Sequence, residues 1–454
     1  MELEQRLRFT LIPLMLPGHI IPMIDMAKLL AQRGVSVTII VTPLNATRFG
    51  SSIHRAAAAG LSIRLLPVSF PAEEAGLPPG CESVDMAPSY KLIRNFYIAI
   101  TLWQQPVEQI LAEMEPSSSC IICDKHIAWA SETSIKLQIP QIIFDGTSCF
   151  TQLITHKLRA SKIHESAAPT QPFVVPDLPD RIEFAKLQLS TSFNQGSVDV
   201  TDLREQVREA ESQAYGVVVN SFRDLEKSYA DEFHKVKGGK VWSIGPLSLC
   251  RDDDLDRNQT SDDLTQVFVK CLRWLDDRDP GCVIYVCLGS LSRLSTDQFV
   301  ELPLGLESSS HPFILVVKEG SISTEIEKWI SDEEFEERTR ETGLVVRGWV
   351  PQVLILSHPS FLNEKLVVQI LETGVGVGAR AVVHLGEEVK PENRVTRDGI
   401  RSGIERVMDS GKEGEERRRW ARELQEMAKM SVQVGGSSYA NLTLLIQEIS
   451  RLGA

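Results

Sequence analysis

The run Val35-Ser36-Val37-Thr38-Ile39-Ile40-Val41 constrains the fold more than any other segment, because β-branched residues with so little polar alternation suit a strand buried on both faces. Such strands belong to parallel sheets, and a parallel neighbour needs a crossover. The preceding residues supply one. Leu7 to Ile12 reads as a strand, Gly18-His19 as a loop, and Pro22 as the opening of a helix. Met23, Met26, Ala27 and Leu30 then fall at i, i+3, i+4 and i+7, and Gly34 ends the helix. This is a βαβ unit. Strands expected at Ser62 to Leu66, Cys120 to Cys123 and Gln141 to Phe144 extend it into a doubly wound α/β layer.

From Leu249 to Asp263 the chain turns polar and acidic without periodicity, which marks a linker or exposed loop. Beyond it, strands are expected at Val283 to Leu288, Phe313 to Val317 and Leu344 to Val346, so a second α/β domain follows. Charged helices close the sequence at Arg401 to Met408, Glu415 to Met430 and Tyr439 to Ile449. A chain of 454 residues accommodates two or three domains at roughly 100 to 200 residues each.

Composition excludes several functions. With 48 Lys+Arg against 61 Asp+Glu the net charge is −13, and no basic run is long enough to meet a phosphate backbone, so nucleic acid is not an expected partner. No stretch approaches the ~18 uninterrupted apolar residues of a membrane span. Phe9 to Ile24 is broken by Pro13, Pro17, Gly18, His19 and Pro22 and lacks a small-residue cleavage site, so no signal peptide is expected and the location is cytoplasmic. Eight cysteines, several inside apolar runs, read as buried hydrophobes rather than a disulfide frame. The sequons at Asn45, Asn258 and Asn441 then carry no weight.

Ligands of open parallel sheets bind beyond the carboxyl ends of the strands, and His19, Asp124 and Asp145 all follow or end expected strands there. His19 precedes a helix whose N-terminal dipole disfavours the imidazolium, and a carboxylate that orients a histidine is a recurring general-base arrangement. The same residues also suit a histidine packed in a loop and a carboxylate capping the next helix. Ser290, after the strand Val283 to Leu288, could meet a phosphate, and Trp349 with Gln352 could stack on and hydrogen-bond a flat base; a tryptophan packed in the core fits that pattern as well. Gly374 to Ala379 mimics a dinucleotide fingerprint but follows a helix-like segment, which counts against an NAD-dependent oxidoreductase. Cys120 and Cys123 have redox spacing, yet residues i and i+3 of a strand face opposite ways. No His/Cys/Asp/Glu group has metal-ligand spacing, and no metal is expected.

Jointly, Gly18-His19-Ile20-Ile21-Pro22, Trp274-Leu275-Asp276, Val286-Cys287-Leu288-Gly289-Ser290, the stretch Gly348 to Pro359 and Gly435-Gly436-Ser437-Ser438-Tyr439 resemble the plant family of UDP-sugar-dependent glycosyltransferases acting on small lipophilic molecules. The resemblance implies an α/β fold of GT-B type, with two facing Rossmann-like domains. Residues 1–245 would form the acceptor-binding domain, 246–265 a linker, 266–435 the UDP-sugar-binding domain, and 436–454 a helix packing back on the first domain. By position, His19 resembles the base that deprotonates the acceptor hydroxyl and Asp124 the carboxylate that orients it. Ser290 matches a residue near the diphosphate, Trp349 the ring stacking on uracil, Val350 a backbone contact to the base, and Gln352 a ribose-side contact. The implied reaction is inverting transfer of a sugar, glucose by expectation, from a UDP-sugar co-substrate, without cofactor or metal and by a monomer. Phe70-Pro71, Gly76-Leu77-Pro78 and Gly80-Cys81-Glu82 resemble the subgroup with broad phenolic and hormone acceptors. Loops around Phe70 to Met86, Phe144 to Leu153 and Gln188 to Asn194 would line that acceptor's pocket.

The pattern breaks once. After Ser360 the family sequence would continue through a strand, a His-Cys-Gly-Trp-Asn-Ser turn, a helix and an acidic-Gln pair, but here Phe361-Leu362-Asn363-Glu364 follows directly. Roughly thirty residues, about one βαβ unit, are missing by this comparison. The missing segment would grip diphosphate and sugar, so an alternative is a catalytically impaired or inactive remnant, or a binder of small lipophilic molecules.

Overall fold

The computed structural model describes residues 7–87, 89–189, 193, 201–250, 270–271, 273–279, 281–287, 295–317, 324–347, 366–379 and 395–453. Its first sheet contains seven parallel strands: β1 (Arg8–Ile12), β2 (Ser36–Val41), β3 (Ile63–Pro67), β4 (Cys120–Asp124), β5 (Gln141–Asp145), β8 (Gly216–Val219) and β9 (Val241–Ser243). A separate antiparallel hairpin pairs β6 (Pro172–Val174) with β7 (Glu183–Ala185). The seven-stranded order is β3-β2-β1-β4-β5-β8-β9. Five of these strands lie where the apolar runs predict them. β8 and β9 were not foreseen, since strands of four and three residues are too short to display a period.

The first helix spans Pro17–Gln32, so it begins five residues before the Pro22 start read from the sequence. Pro17 supplies a better opening, because its fixed φ and missing N–H suit the first helical position. Pro22 is tolerated inside the helix, where it removes the N–H that would have bonded the Gly18 carbonyl. Gly34, at φ +85, adopts the left-handed conformation that ends the helix and turns the chain into β2.

A second parallel sheet has the order β10 (Ile284–Cys287), β11 (Phe313–Val317) and β12 (Gly343–Arg347) among the described residues. Gly343 pairs with Phe313, and a Cβ there would lie 2.4 Å from Phe313 Cζ, so only glycine lets the ring cross the neighbouring strand. Residues 374–379 are irregular, and Val377 packs against glycines 399 and 403 of the helix Arg397–Met408. That glycine run is a packing segment and has no strand-turn-helix setting.

The helix Ser437–Leu452 packs on β9, with Leu442, Leu445 and Ile449 inside the core beneath the first sheet. Arg33 donates to Thr443 Oγ1 at 3.0 Å and lies 3.5 Å above the Tyr439 ring. Asn441 donates to the Ser243 carbonyl at 3.0 Å. All eight cysteines are free thiols. Cys120 and Cys123 are buried in β4, and burial pushes the Cys123 thiol up to about 12. Most of the polar stretch near 249–263, and the junction at Ser360, lie outside the described residues.

Candidate active site

β1 and β4 are neighbours, with Ile12 opposite Cys123, and the strand order reverses between them. A crevice opens at such a reversal, because the chain leaves the two strands toward opposite faces of the sheet. His19 and Asp124 both reach it. His19 sits in the first turn of the helix after β1, and Asp124 is the last residue of β4. His19 Nδ1 meets Asp124 Oδ2 at 2.6 Å, across a sequence separation of 105 residues. Asp124 is 1% exposed and the His19 side chain 29% exposed, so a buried carboxylate holds a ring that solvent or substrate can reach.

The other carboxylate oxygen is occupied too. Asp124 Oδ1 accepts the His126 backbone N–H at 2.9 Å and faces His126 Nδ1 at 2.9 Å. The rings of His19 and His126 stand edge to face, 5.7 Å between centroids. Sequence reading did not single out His126, because its ring meets the carboxylate only through the turn that follows β4. Burial would raise the Asp124 pKa, but the His19 charge and the bonds from both histidines hold it well below the usual carboxylate range. An ionised carboxylate only accepts, so Nδ1 of His19 carries the proton and Nε2 keeps its lone pair.

Burial pulls the His19 pKa down, but the charge and hydrogen bond of Asp124 outweigh it and raise the pKa above the ordinary value. The helix N-terminus, which the sequence puts in the foreground, therefore loses to the carboxylate. Asp145 lies apart from this pair and belongs to a second cluster. It takes Lys125 Nζ at 2.8 Å and the Thr147 backbone N–H at 2.9 Å. Burial opposes its ionisation, and the Lys125 charge overcomes that and lowers its pKa.

Beside His126 lies a cavity of about 480 Å³ whose walls include Tyr97, Trp129, Ile135, Leu203 and Gln206. Among the described residues, none from the three loops expected to hold an acceptor lines it. Ser290, Trp349, Val350 and Gln352, the residues expected to bind the donor, lie outside the described residues. No helix among the described residues is long and apolar enough to cross a membrane.

The α/β chain has two parallel sheets and an oriented imidazole at the switch point of the first, and its fold is of GT-B type, as in the solved glycosyltransferases it matches. The crystal structure of UGT73P12 from Glycyrrhiza uralensis, complexed with glycyrrhetinic acid 3-O-monoglucuronide, matches it at a TM-score of 0.88 and 30% identity over 99% of this chain and 96% of that one. UDP-glycosyltransferase 73C3 of Arabidopsis thaliana is 41% identical over 99% of this chain and 98% of its own length. UDP-glycosyltransferase 73E1 of Stevia rebaudiana is 41% identical over 98% and 96%. No family model matches the chain. By these relatives the chain belongs to the plant UDP-glycosyltransferase family, whose enzymes use a UDP-sugar as co-substrate.

Proposed function

We propose that this chain transfers glucose from UDP-glucose to a hydroxyl of a small lipophilic acceptor, a phenolic such as a flavonoid, a terpenoid or a hormone, with inversion at the anomeric carbon. The 2.6 Å contact between His19 Nδ1 and Asp124 Oδ2 carries the reading, because it leaves Nε2 as a free base at the ligand rim. The acceptor oxygen forms its bond to the anomeric carbon while its proton passes to Nε2. The bond from that carbon to the diphosphate oxygen breaks, and UDP leaves from the opposite face with the electron pair. The imidazolium formed at His19 is stabilised by Asp124, which His126 in turn holds in place. The glycyrrhetinic acid 3-O-monoglucuronide bound to the Glycyrrhiza protein supports a terpenoid-sized acceptor. Ser290, Trp349, Val350 and Gln352 are proposed as donor contacts, with Trp349 stacking on uracil.

UDP release from UDP-glucose, measured over a panel of phenolic and terpenoid acceptors with His19→Ala alongside, tests this reading. Release that depends on acceptor and disappears in the variant is expected. Equal release by the variant would remove His19 from the mechanism.

A second reading concerns the donor half. The match to the Arabidopsis relative runs over 485 positions, against 454 residues here, so at least 31 positions face no residue of this chain. That surplus has the size of the βαβ unit read as missing after Ser360, whose place in the chain rests on the motif comparison alone. Each charge-assisted hydrogen bond that such a unit would have made is worth ~1.5 to 3 kcal/mol, so the absence of several weakens donor binding by orders of magnitude and leaves a binder of lipophilic molecules. Titration with UDP separates the readings: micromolar binding supports transfer, and no binding by a folded chain supports the impaired form.

A further inference from the structure

We propose that His19, Asp124 and His126 form a binding site for one divalent transition-metal ion of the zinc type, and that filling the site disables the base. Spacing in the sequence gives no hint of it, since His19 lies 105 residues from Asp124. Folding brings one ligand atom from each of the three residues within 4.8 Å of the others. Two imidazole nitrogens and a carboxylate oxygen suit zinc, nickel or copper and do not suit magnesium or calcium, which prefer oxygen alone. Three protein ligands also leave a fourth position open at the rim.

The distances allow entry with small movements. Two ligands of one tetrahedral zinc stand about 3.3 Å apart, given bond lengths of roughly 2.0 to 2.2 Å. At present His19 Nδ1 meets Asp124 Oδ2 at 2.6 Å and His126 Nδ1 meets the other oxygen, Oδ1, at 2.9 Å, and one ligand atom from each residue lies within 4.8 Å of the others. Each ring must therefore turn from its present carboxylate oxygen toward one shared ion. Both histidine side chains are 29% exposed and can do so, while Asp124, at 1%, is the fixed corner. Nor does Lys125 present an unbalanced charge against a cation, because its ammonium is paired with Asp145 at 2.8 Å.

The effect on the base follows from counting lone pairs, and this half of the inference rests on the role proposed for His19. A neutral imidazole has one lone pair on nitrogen to give. If Nδ1 gives it to the ion, the proton sits on Nε2, and that nitrogen can no longer accept one from an acceptor hydroxyl.

Zinc titrated into the metal-free chain by calorimetry tests the site without relying on turnover. One equivalent is expected to bind, with magnesium giving no heat. His126→Ala should bind at least about tenfold more weakly, and His126→Gln, which keeps a side chain of similar length, should do likewise with an unchanged circular dichroism spectrum. His54→Ala, on the exposed face of the helix Pro43–Ala58, should bind as the parent does. In turnover assays one equivalent of zinc should stop UDP release and a chelator should restore it. No stoichiometric binding, or equal affinity in both His126 variants, overturns the site. Full turnover with zinc bound overturns the effect on the base. If zinc binds as described while His19→Ala retains full activity, the site stands and the proposed base falls. If His19→Ala is inactive and zinc does not bind, the base stands and the metal site falls.

Discussion

Replacing Asp124 by Asn keeps size and shape but removes the charge on which His19 depends. The variant loses one charge-assisted hydrogen bond to the imidazolium at the moment it forms, worth about 1.5 to 3 kcal/mol, or about 10- to 150-fold in rate. An asparagine amide can also donate, so it can turn His19 to the tautomer with its proton on Nε2; in a comparable triad an Asp-to-Asn swap costs about 10⁴ for this reason. The expected fall in kcat is therefore about 10² to 10⁴. KM should change little, because Asp124 is 1% exposed and lies behind the ring. Steady-state UDP release measures both quantities. The pH profile adds a second readout: Asp124 is what raises the His19 pKa against burial, so without it the acid limb of kcat moves to lower pH. A kcat within about threefold of the parent, with an unmoved acid limb, would refute the proposed role of the pair.

The donor half and the packing give further tests. Trp349→Ala should weaken UDP binding, read by calorimetry, and leave acceptor binding unchanged. Insertion of a family-like segment after Ser360 should tighten UDP binding and raise Tm, and an unchanged Tm would show that the second sheet does not miss those residues. Leu445→Ala deletes a fully buried side chain under the first sheet and should cost about 2 to 5 kcal/mol in denaturant unfolding. On linkage grounds the raised His19 pKa stabilises the fold below its ordinary value of 6.5, and this contribution is lost as pH rises through the folded value. His19→Ala should therefore reduce stability more at pH 5 than at pH 8.

The long buried strands were legible because apolar and β-branched runs such as Val35 to Val41 leave few alternatives, and Phe313–Val317 lies where the sequence puts it. The short strands at Gly216 and Val241 were not, since their pairing is decided by the sheet edge they complete and not by their own pattern. His19 and Asp124 could be named from their places after strands. Their contact could not, because it requires β1 and β4 to be adjacent. His126 escaped notice for a related reason: a histidine two residues past an aspartate acquires meaning only when the turn folds its ring back onto the carboxylate.

The helix Ser437–Leu452 also imposes an order on the molecule's birth. Its Asn441 bonds Ser243, 198 residues earlier in the chain, and its leucines complete the core under the first sheet. A ribosome that has finished strand β9 has therefore released a sheet with an uncovered apolar patch, which stays open through the synthesis of the entire second half. At ≈ 5–20 residues per second that interval lasts about 10 to 40 s, long enough for a chaperone to bind there before the helix arrives.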